Sequence, residues 1–312
     1  MKKSFVRAAE VWVLSTDRAR LQFGGGNYGL LADFEVVSKG ATFGYDEGLP
    51  GKAWSQGRPL VLKNLTSSYF RRGPAAAAAG LTCAIAIPIF AGRILLAVLV
   101  LLCGDDSEHV GAIEVWHTPP GSTDMALVDG YFGTADAFEF QSRHMVFRRG
   151  FGMPGMVWES GMPVLMNDLG RSRRFVRNDD AQSAGITRGI GIPCGRDGDG
   201  NWVVTLLSAL ATPIAQRFEC WVPNDDDQTL RLASVVSETT GDETSVAVGT
   251  CVPAASGTLG KVWLTGTPVI TSKLSHEPEV IAASASKSGL STMVAMPVIS
   301  QCAIKAVVAW YE

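Results

Sequence analysis

The 312-residue chain is short of charge. Asp, Glu, Lys and Arg make up only 18% of it, against about 25% in an average soluble protein. Nor does one sign dominate. Lys and Arg number 27 and Asp and Glu 30, a net charge of -3, so nothing marks it for nucleic acid. Six cysteines (Cys83, Cys103, Cys194, Cys220, Cys251, Cys302) are scattered, with no Cys-x-x-Cys. That argues against a zinc site and a disulfide-dense secreted scaffold, and the thiols read as reduced and buried. The basic start Met-Lys-Lys-Ser-Phe-Val-Arg has no apolar stretch behind it, because Arg7 and Glu10 interrupt, so it is not a signal peptide. Long hydrophobic runs are missing too. The most apolar segment, 84–103, is broken by Pro88, Gly92 and Arg93 into two pieces of strand length, which predicts a buried β-hairpin and no membrane span. The chain is therefore expected in the cytoplasm or an organelle stroma or matrix, soluble and not secreted, with no metal and no cofactor.

Apolar residues are plentiful, at 46%, and the mean hydropathy is +0.16. Such a chain is too apolar to be disordered. With so few charges to cover it, part of its surface is expected to be apolar and to pack against partners.

One pattern returns three times. Glu10, Glu114 and Glu219 recur at spacings of 104 and 105, each two residues before Trp12, Trp116 and Trp221. Gly51, Gly155 and Gly260 keep the same period, as do Trp54, Trp158 and Trp263, and Pro59, Pro163 and Pro268. A period near 104 is too long for a solenoid repeat and suits a small domain. The predicted units are 1–104, 105–209 and 210–312. Their boundaries fall in polar turns, Gly104-Asp105-Asp106-Ser107 and Ala211-Thr212-Pro213, with no long linker, so the units are expected to dock tightly in a row.

Each unit repeats one order of signals. A strand ending in Glu-x-Trp is followed by a turn (Pro223-Asn224-Asp225 in the third unit) and a second strand such as Leu21–Phe23. Gly24-Gly25-Gly26 reads as a loop after that strand. A short helix follows a tight glycine turn, with Gly51, Gly155 and Gly260 taken as turn glycines. After Gly-x-Pro come a strand, an Ala-rich segment and two closing apolar strands, such as Ile190–Cys194 and Trp202–Ser208. The predicted class is α+β: three tandem units, each an antiparallel sheet with short helices packed on it.

The string Gly48-Leu49-Pro50-Gly51-Lys52-Ala53-Trp54, with Gly57-Arg58-Pro59, Asn64-Leu65, Gly80-Leu81 and Ile87-Pro88-Ile89, resembles the GAF domain. The second unit matches through Gly152–Trp158, Gly161–Pro163, Asn167-Asp168-Leu169 and Ile192-Pro193. The third has drifted, with Gly257-Thr258-Leu259-Gly260 and Lys273-Leu274. The resemblance implies a space between sheet and helices that binds small molecules in some members, while others only dimerise. No Cys-His pair for a tetrapyrrole, cyclic-nucleotide signature or cysteine cluster accompanies it.

The six repeat-locked tryptophans, Trp12, Trp54, Trp116, Trp158, Trp221 and Trp263, read as core, with ligand-stacking walls as the alternative. Lys52 after Gly51 fails as a phosphate loop, because Ala53 stands where Ser or Thr belongs. Arg171, Arg173, Arg174 and Arg177 form a candidate interaction patch for phosphate or an acidic partner, against the blander reading of a solvated face. By unit the net charge is +6, -5 and -4. A row with a basic and an acidic end favours head-to-tail self-association. Two functions fit. One is a non-catalytic interaction or scaffold subunit that contacts other proteins or itself. The alternative is a small-molecule sensor that signals through a separate partner. No catalytic constellation recurs at equivalent positions, so an enzyme ranks behind both.

Overall fold

A computed structural model describes residues 4–104, 109–224, 228–237 and 246–312. Asp105-Asp106-Ser107 and Asp225, placed in turns from the sequence, lie outside the described residues. The first unit runs β1 (Val6–Leu14), β2 (Arg20–Asn27), α1 (Ala32–Lys39), β3 (Thr42–Gly44), α2 (Gly48–Gln56), β4 (Leu60–Lys63), α3 (Gly73–Ala78), β5 (Cys83–Ala91) and β6 (Ile94–Cys103). Its strands form one antiparallel sheet in the order β3-β2-β1-β6-β5-β4. The second unit repeats this with β7 (Val110–Thr118), β8 (Asp124–Gly133), α4 (Asp136–His144), β9 (Val146–Arg148), α5 (Gly152–Ser160), β10 (Val164–Met166), α6 (Asn178–Ala184), β11 (Ile186–Cys194) and β12 (Asn201–Ala209). The third has β13 (Arg217–Pro223), β14 (Thr229–Ser237), β15 (Cys251–Pro253), α7 (Gly257–Thr265), β16 (Val269–Thr271), α8 (Glu279–Lys287), β17 (Met293–Ser300) and β18 (Ala303–Tyr311). The protein is thus α+β, with three six-stranded antiparallel sheets of one topology.

Alternation explains the strand sequences. Along β6, Val98, Val100 and Leu102 face the helices and pack with Trp12, Phe34, Leu49 and Ala53, while Ala97, Leu99, Leu101 and Cys103 face the other way. Both faces are dry, so the strand is apolar throughout. The hairpin expected over 84–103 is formed by β5 and β6.

The helix-free faces of all three sheets meet in one core. It joins Val11, Ile87 and Leu99 to Val115, Ile192 and Leu206, and to Phe218, Val298 and Trp310. The edges close in a cycle: β4 contacts β8, β10 contacts β14 and β16 contacts β2, while β5, β11 and β17 contact one another. Lys63 of β4 lies 3.5 Å from Asp129 of β8, and Asn27 of β2 donates to Glu312 at 3.1 Å. The row expected from the sequence is therefore corrected to a closed ring. Exposed surface is 13113 Å², close to the roughly 12,600 Å² of one globule of this mass and well below the roughly 17,000 Å² of three separate units. This shared core absorbs much of the surplus apolar residue. It also leaves no basic end and acidic end, since the first unit touches both others.

Two glycine assignments change. Gly24-Gly25-Gly26 lies inside β2, not in a loop, where a Cβ on Gly26 would stand 2.7 Å from the Tyr28 ring. The left-handed turn that starts each helix falls on Gly48, Gly152 and Gly257, with φ of 60, 66 and 62°. Gly51, Gly155 and Gly260 are instead the fourth residues of α2, α5 and α7, pressed against backbone. A Cβ would lie 2.1 Å from the Gly44 oxygen at Gly51 and 2.1 Å from the Arg148 oxygen at Gly155.

Candidate functional site

Glu-x-Trp places both side chains on one strand face, because strand side chains alternate. That face looks toward the helices. Trp12 Nε1 donates to Glu10 at 3.0 Å, Trp116 Nε1 to Glu114 at 3.0 Å and Trp221 Nε1 to Glu219 at 2.9 Å. All three glutamates and their tryptophans are fully buried. A buried carboxylate needs a cation or several donors.

In the first unit the cation is Arg72, the residue before α3. Its two terminal nitrogens hold both Glu10 oxygens, with Nη2–Oε2 at 2.8 Å, and Nη1 also donates to Ser38 of α1. Tyr28 adds a hydroxyl donor to Glu10 at 3.0 Å. The guanidinium carbon lies 4.9–5.8 Å from the ring centres of Trp12, Phe34, Phe43 and Phe70. The second unit repeats the arrangement: Arg177 grips Glu114 and Ser142, within 4.5–5.8 Å of Trp116, Phe138, Phe147 and Phe175. Phe132 replaces Tyr28 there, and Thr205 Oγ1 supplies the extra donor at 2.7 Å. The rings add cation–π attraction in a dry setting.

The third unit reaches a similar end by another route. Ile281 of α8 stands at the position equivalent to Arg72 and Arg177. The cation is Arg217 of β13, at the position held by Ala8 and Ala112 in the other units. It donates to Ser284 at 2.8 Å and Ser288 at 2.7 Å but stays 3.7 Å from Glu219, whose second support is the Tyr311 hydroxyl at 2.8 Å. The carboxyls respond oppositely. Burial works to raise Glu114, but the Arg177 guanidinium, Thr205 and Trp116 outweigh it and hold the group below its ordinary value. At Glu219 burial wins over Arg217, Tyr311 and Trp221, and the carboxyl is raised. Burial and then Glu10 raise the Tyr28 phenol.

The residues singled out from the sequence divide accordingly. Trp12, Trp116 and Trp221 are core, whereas Trp54, Trp158 and Trp263 are half-buried at its margin. Arg171, Arg173 and Arg174 are exposed on the segment between β10 and α6. Arg177 is 1% exposed and leaves that patch for the core. The charged centre was missed because Arg72 lies 62 residues from Glu10 and Arg177 lies 63 from Glu114. The available signal was an arginine repeating in register with each Glu-x-Trp in the first two units. Cys83 and Cys103 prove to be cross-strand neighbours on β5 and β6, both buried. Burial and then Cys83 push the Cys103 thiol well up, away from reactive thiolate. Among the described residues, no helix is long and apolar enough to cross a membrane.

Two of the clefts among the described residues bear on function. One of about 450 Å³ lies over the first unit, with Arg20, Val36, Val37, Phe43, Arg71 and Arg72 in its lining. Arg20 and Arg71 both pair with Glu47 there. The other, of about 380 Å³, lies between the second and third units.

The sequence model for the GAF domain matches residues 6–128, all of the first sheet and on into β8. No curated protein matches the chain. Among solved structures, the GAF domain of A. Aeolicus nlh2 is 22% identical over 32% of this chain and 59% of its own, with a TM-score of 0.27. A GAF domain/HD domain protein from Geobacter sulfurreducens is 18% identical over 32% and 63%, with a TM-score of 0.28. Free methionine-R-sulfoxide reductase from Neisseria meningitidis is 16% identical over 31% and 52%, with a TM-score of 0.24. The chain spans about three fifths of the first two. The GAF match covers the first unit and the start of the second, and the same sheet topology recurs in all three units, consistent with three tandem GAF-like repeats.

Proposed function

We propose that this chain is a non-catalytic interaction subunit of a larger assembly, built of units 1–104, 105–209 and 210–312. One observation carries the reading. In the first two units the space between sheet and helices, where a GAF ligand would lie, holds the chain's own guanidinium on its own carboxylate within four aromatic rings. Such a pair is costly to open, about 3–5 kcal/mol when one partner is removed. What is left for partners is the outside. The second unit exposes Phe140 at 61% and Phe151 at 60%, together with Val146, and Arg171, Arg173 and Arg174. Apolar and basic groups together suit an acidic, amphipathic protein segment. Head-to-tail packing is used up inside the chain, so the proposal no longer needs a polymer.

The test is a photo-crosslinking residue at Phe151, expressed in the cells the protein comes from. Discrete adducts of higher mass, lost in an R171E/R173E/R174E variant, are expected. A chain that crosslinks to nothing overturns the interaction reading.

The sensor alternative rests on the cleft over the first unit, whose lining includes Arg71 and Arg72 and which is large enough for a small ligand. Native mass spectrometry of protein purified from its own cells separates the two. The bare polypeptide mass is expected. A retained small molecule that is lost on R71A favours the sensor.

A further inference from the structure

The cleft over the first unit lies outside the space between sheet and helices. Val36 and Val37 of α1 line it and are 71% and 44% exposed. Phe34 and Ser38 of the same helix turn the other way, into the core around Arg72 and Glu10. Phe43 and Arg72, both buried, lie deepest in the cleft. Arg20 of β2, Thr42 of β3 and Arg71 also line it.

Its charges do not cancel. In the cleft between the second and third units Asp197 stands with Arg196, whereas this lining holds no carboxylate. Arg72 is spent on Glu10. Arg20 and Arg71 share a single acid, Glu47: Arg20 Nη2 reaches one oxygen at 2.8 Å, and Arg71 Nη1 pairs with the other. Arg20 Nε donates to Thr42 at 3.0 Å. Among the described residues, Arg20 Nη1 and Arg71 Nε and Nη2 meet no hydrogen-bond partner. Two guanidiniums on one carboxylate leave one positive charge over. Both side chains are about half exposed, at 47% and 51%, so a ligand can reach them. The fold does not ask for these groups. The positions of Arg20, Glu47 and Arg71 are held by Asp124, Phe151 and Val176 in the second unit and by Thr229, Ser256 and Val280 in the third, on the same sheet topology.

The geometry points to this cleft as a binding site for a small monocarboxylate with a short aliphatic tail. The carboxylate lies between the Arg20 and Arg71 guanidiniums, whose free N–H groups suit its planar pair of oxygens, and the tail lies on Val36 and Val37. One surplus charge matches one carboxylate, whereas a doubly charged phosphate would be left half neutralised. At about 450 Å³ the cleft is of ligand-binding size. The inference rests on reading this cleft as a ligand site, the basis of the sensor alternative, and adds the class of ligand. It leaves the interaction surface of the second unit as it stands, since a subunit can hold a small molecule without transducing it.

The probes are isovalerate, its uncharged amide isovaleramide, and acetate, which keeps the charge and lacks the tail. Saturation-transfer NMR titrations of the full chain measure binding. Isovalerate should bind saturably, with Kd of order 1 mM for a molecule this small, and the amide and acetate each roughly tenfold more weakly. Arg71→Ala should weaken isovalerate roughly tenfold with the melting temperature little changed, because the side chain is half exposed and Glu47 keeps Arg20. Val36→Glu sets a like charge in the cleft at an exposed helix position and should abolish isovalerate binding on a folded chain. Acid and amide binding equally, and both more weakly in Arg71→Ala, overturn the carboxylate assignment and leave the cleft a ligand site. Acetate binding as tightly as isovalerate overturns the seat of the tail on Val36 and Val37. Isovalerate binding untouched by Arg71→Ala or by Val36→Glu lies elsewhere and overturns the assignment. No saturable binding of any probe overturns the assignment and the reading of the cleft as a ligand site together.

Discussion

Arg217 and Glu219 stand two residues apart on one face of β13, 3.7 Å from nitrogen to oxygen, whereas Arg177 reaches Glu114 from a different element and binds both its oxygens. Relative to the first two units the third has Ile281 in place of the arginine and Arg217 in place of the strand alanine, so the cation has moved from the segment before the helix into the strand. The carboxylate stayed, and the position of its counter-charge changed around it.

Removing the guanidinium should be expensive. Arg72→Ala and Arg177→Ala each leave a buried carboxylate unpaired, and each should cost about 3–5 kcal/mol. Urea unfolding at neutral pH measures it. Losses below about 1 kcal/mol would show that the pair contributes little.

The exchange can be transplanted. Arg177→Ile should be as damaging as Arg177→Ala. Adding Ala112→Arg, which rebuilds the third unit's arrangement in the second, should recover part of the loss, because a cation again faces Glu114. A double-mutant cycle reads this as a favourable coupling. A coupling of zero would mean that the two positions do not serve the same carboxylate.

The two glutamates should respond to acid with opposite sign. Glu114 lies below its unfolded value in the folded chain, so its contribution is present above about pH 4.3 and is lost as the pH falls through the folded value. Glu219 lies above its unfolded value, so it costs stability at neutral pH, and that cost is relieved as the pH falls through the raised value. Glu114→Gln should therefore destabilise strongly at pH 7 and Glu219→Gln much less. Hydrogen exchange of β7 and β13 between pH 7 and pH 4 should show the second unit loosening first.

Glycine at the fourth helix position is a steric demand. Gly155→Ala drives a methyl to 2.1 Å from the Arg148 oxygen and should cost about 3 kcal/mol or more. Gly161→Ala meets open space but keeps a φ of 64°, a cost of only about 1–2 kcal/mol. Thermal melts of the two variants should fall in that order.

A single unit should not stand alone. Residues 1–104 by themselves would expose Val11, Ile87, Leu99 and Leu101, which the ring buries. Light scattering should find that fragment self-associated or insoluble, and a well-folded monomer would contradict the shared core.

Much of the architecture was legible in the sequence. The repeat of Glu10 and Trp12 in Glu114, Trp116, Glu219 and Trp221 marked three copies, and Pro88, Gly92 and Arg93 marked the hairpin. Local chemistry dictates such features: a proline, a turn glycine or an alternating run acts on its immediate neighbours. The role of Gly51 was not legible, because the backbone it touches belongs to another element. Nor was that of Arg177 read, since it sits among exposed arginines and only its register with Arg72 sets it apart in the sequence.

By itself the sequence determined the α+β unit, its threefold repetition and the aromatic, carboxylate-bearing strand that opens each copy. Tertiary structure alone decided that the copies close into a ring, that Arg72, Arg177 and Arg217 supply the cation from two different places, and that Arg20 and Arg71 meet over Glu47. The physical reason is separation along the chain. Periodicity and turn chemistry act within a few residues, whereas Arg72 and Arg177 lie 62 and 63 residues from their glutamates and meet them only when the helices pack on each sheet, and the joints between units form only when the three helix-free faces bury against each other.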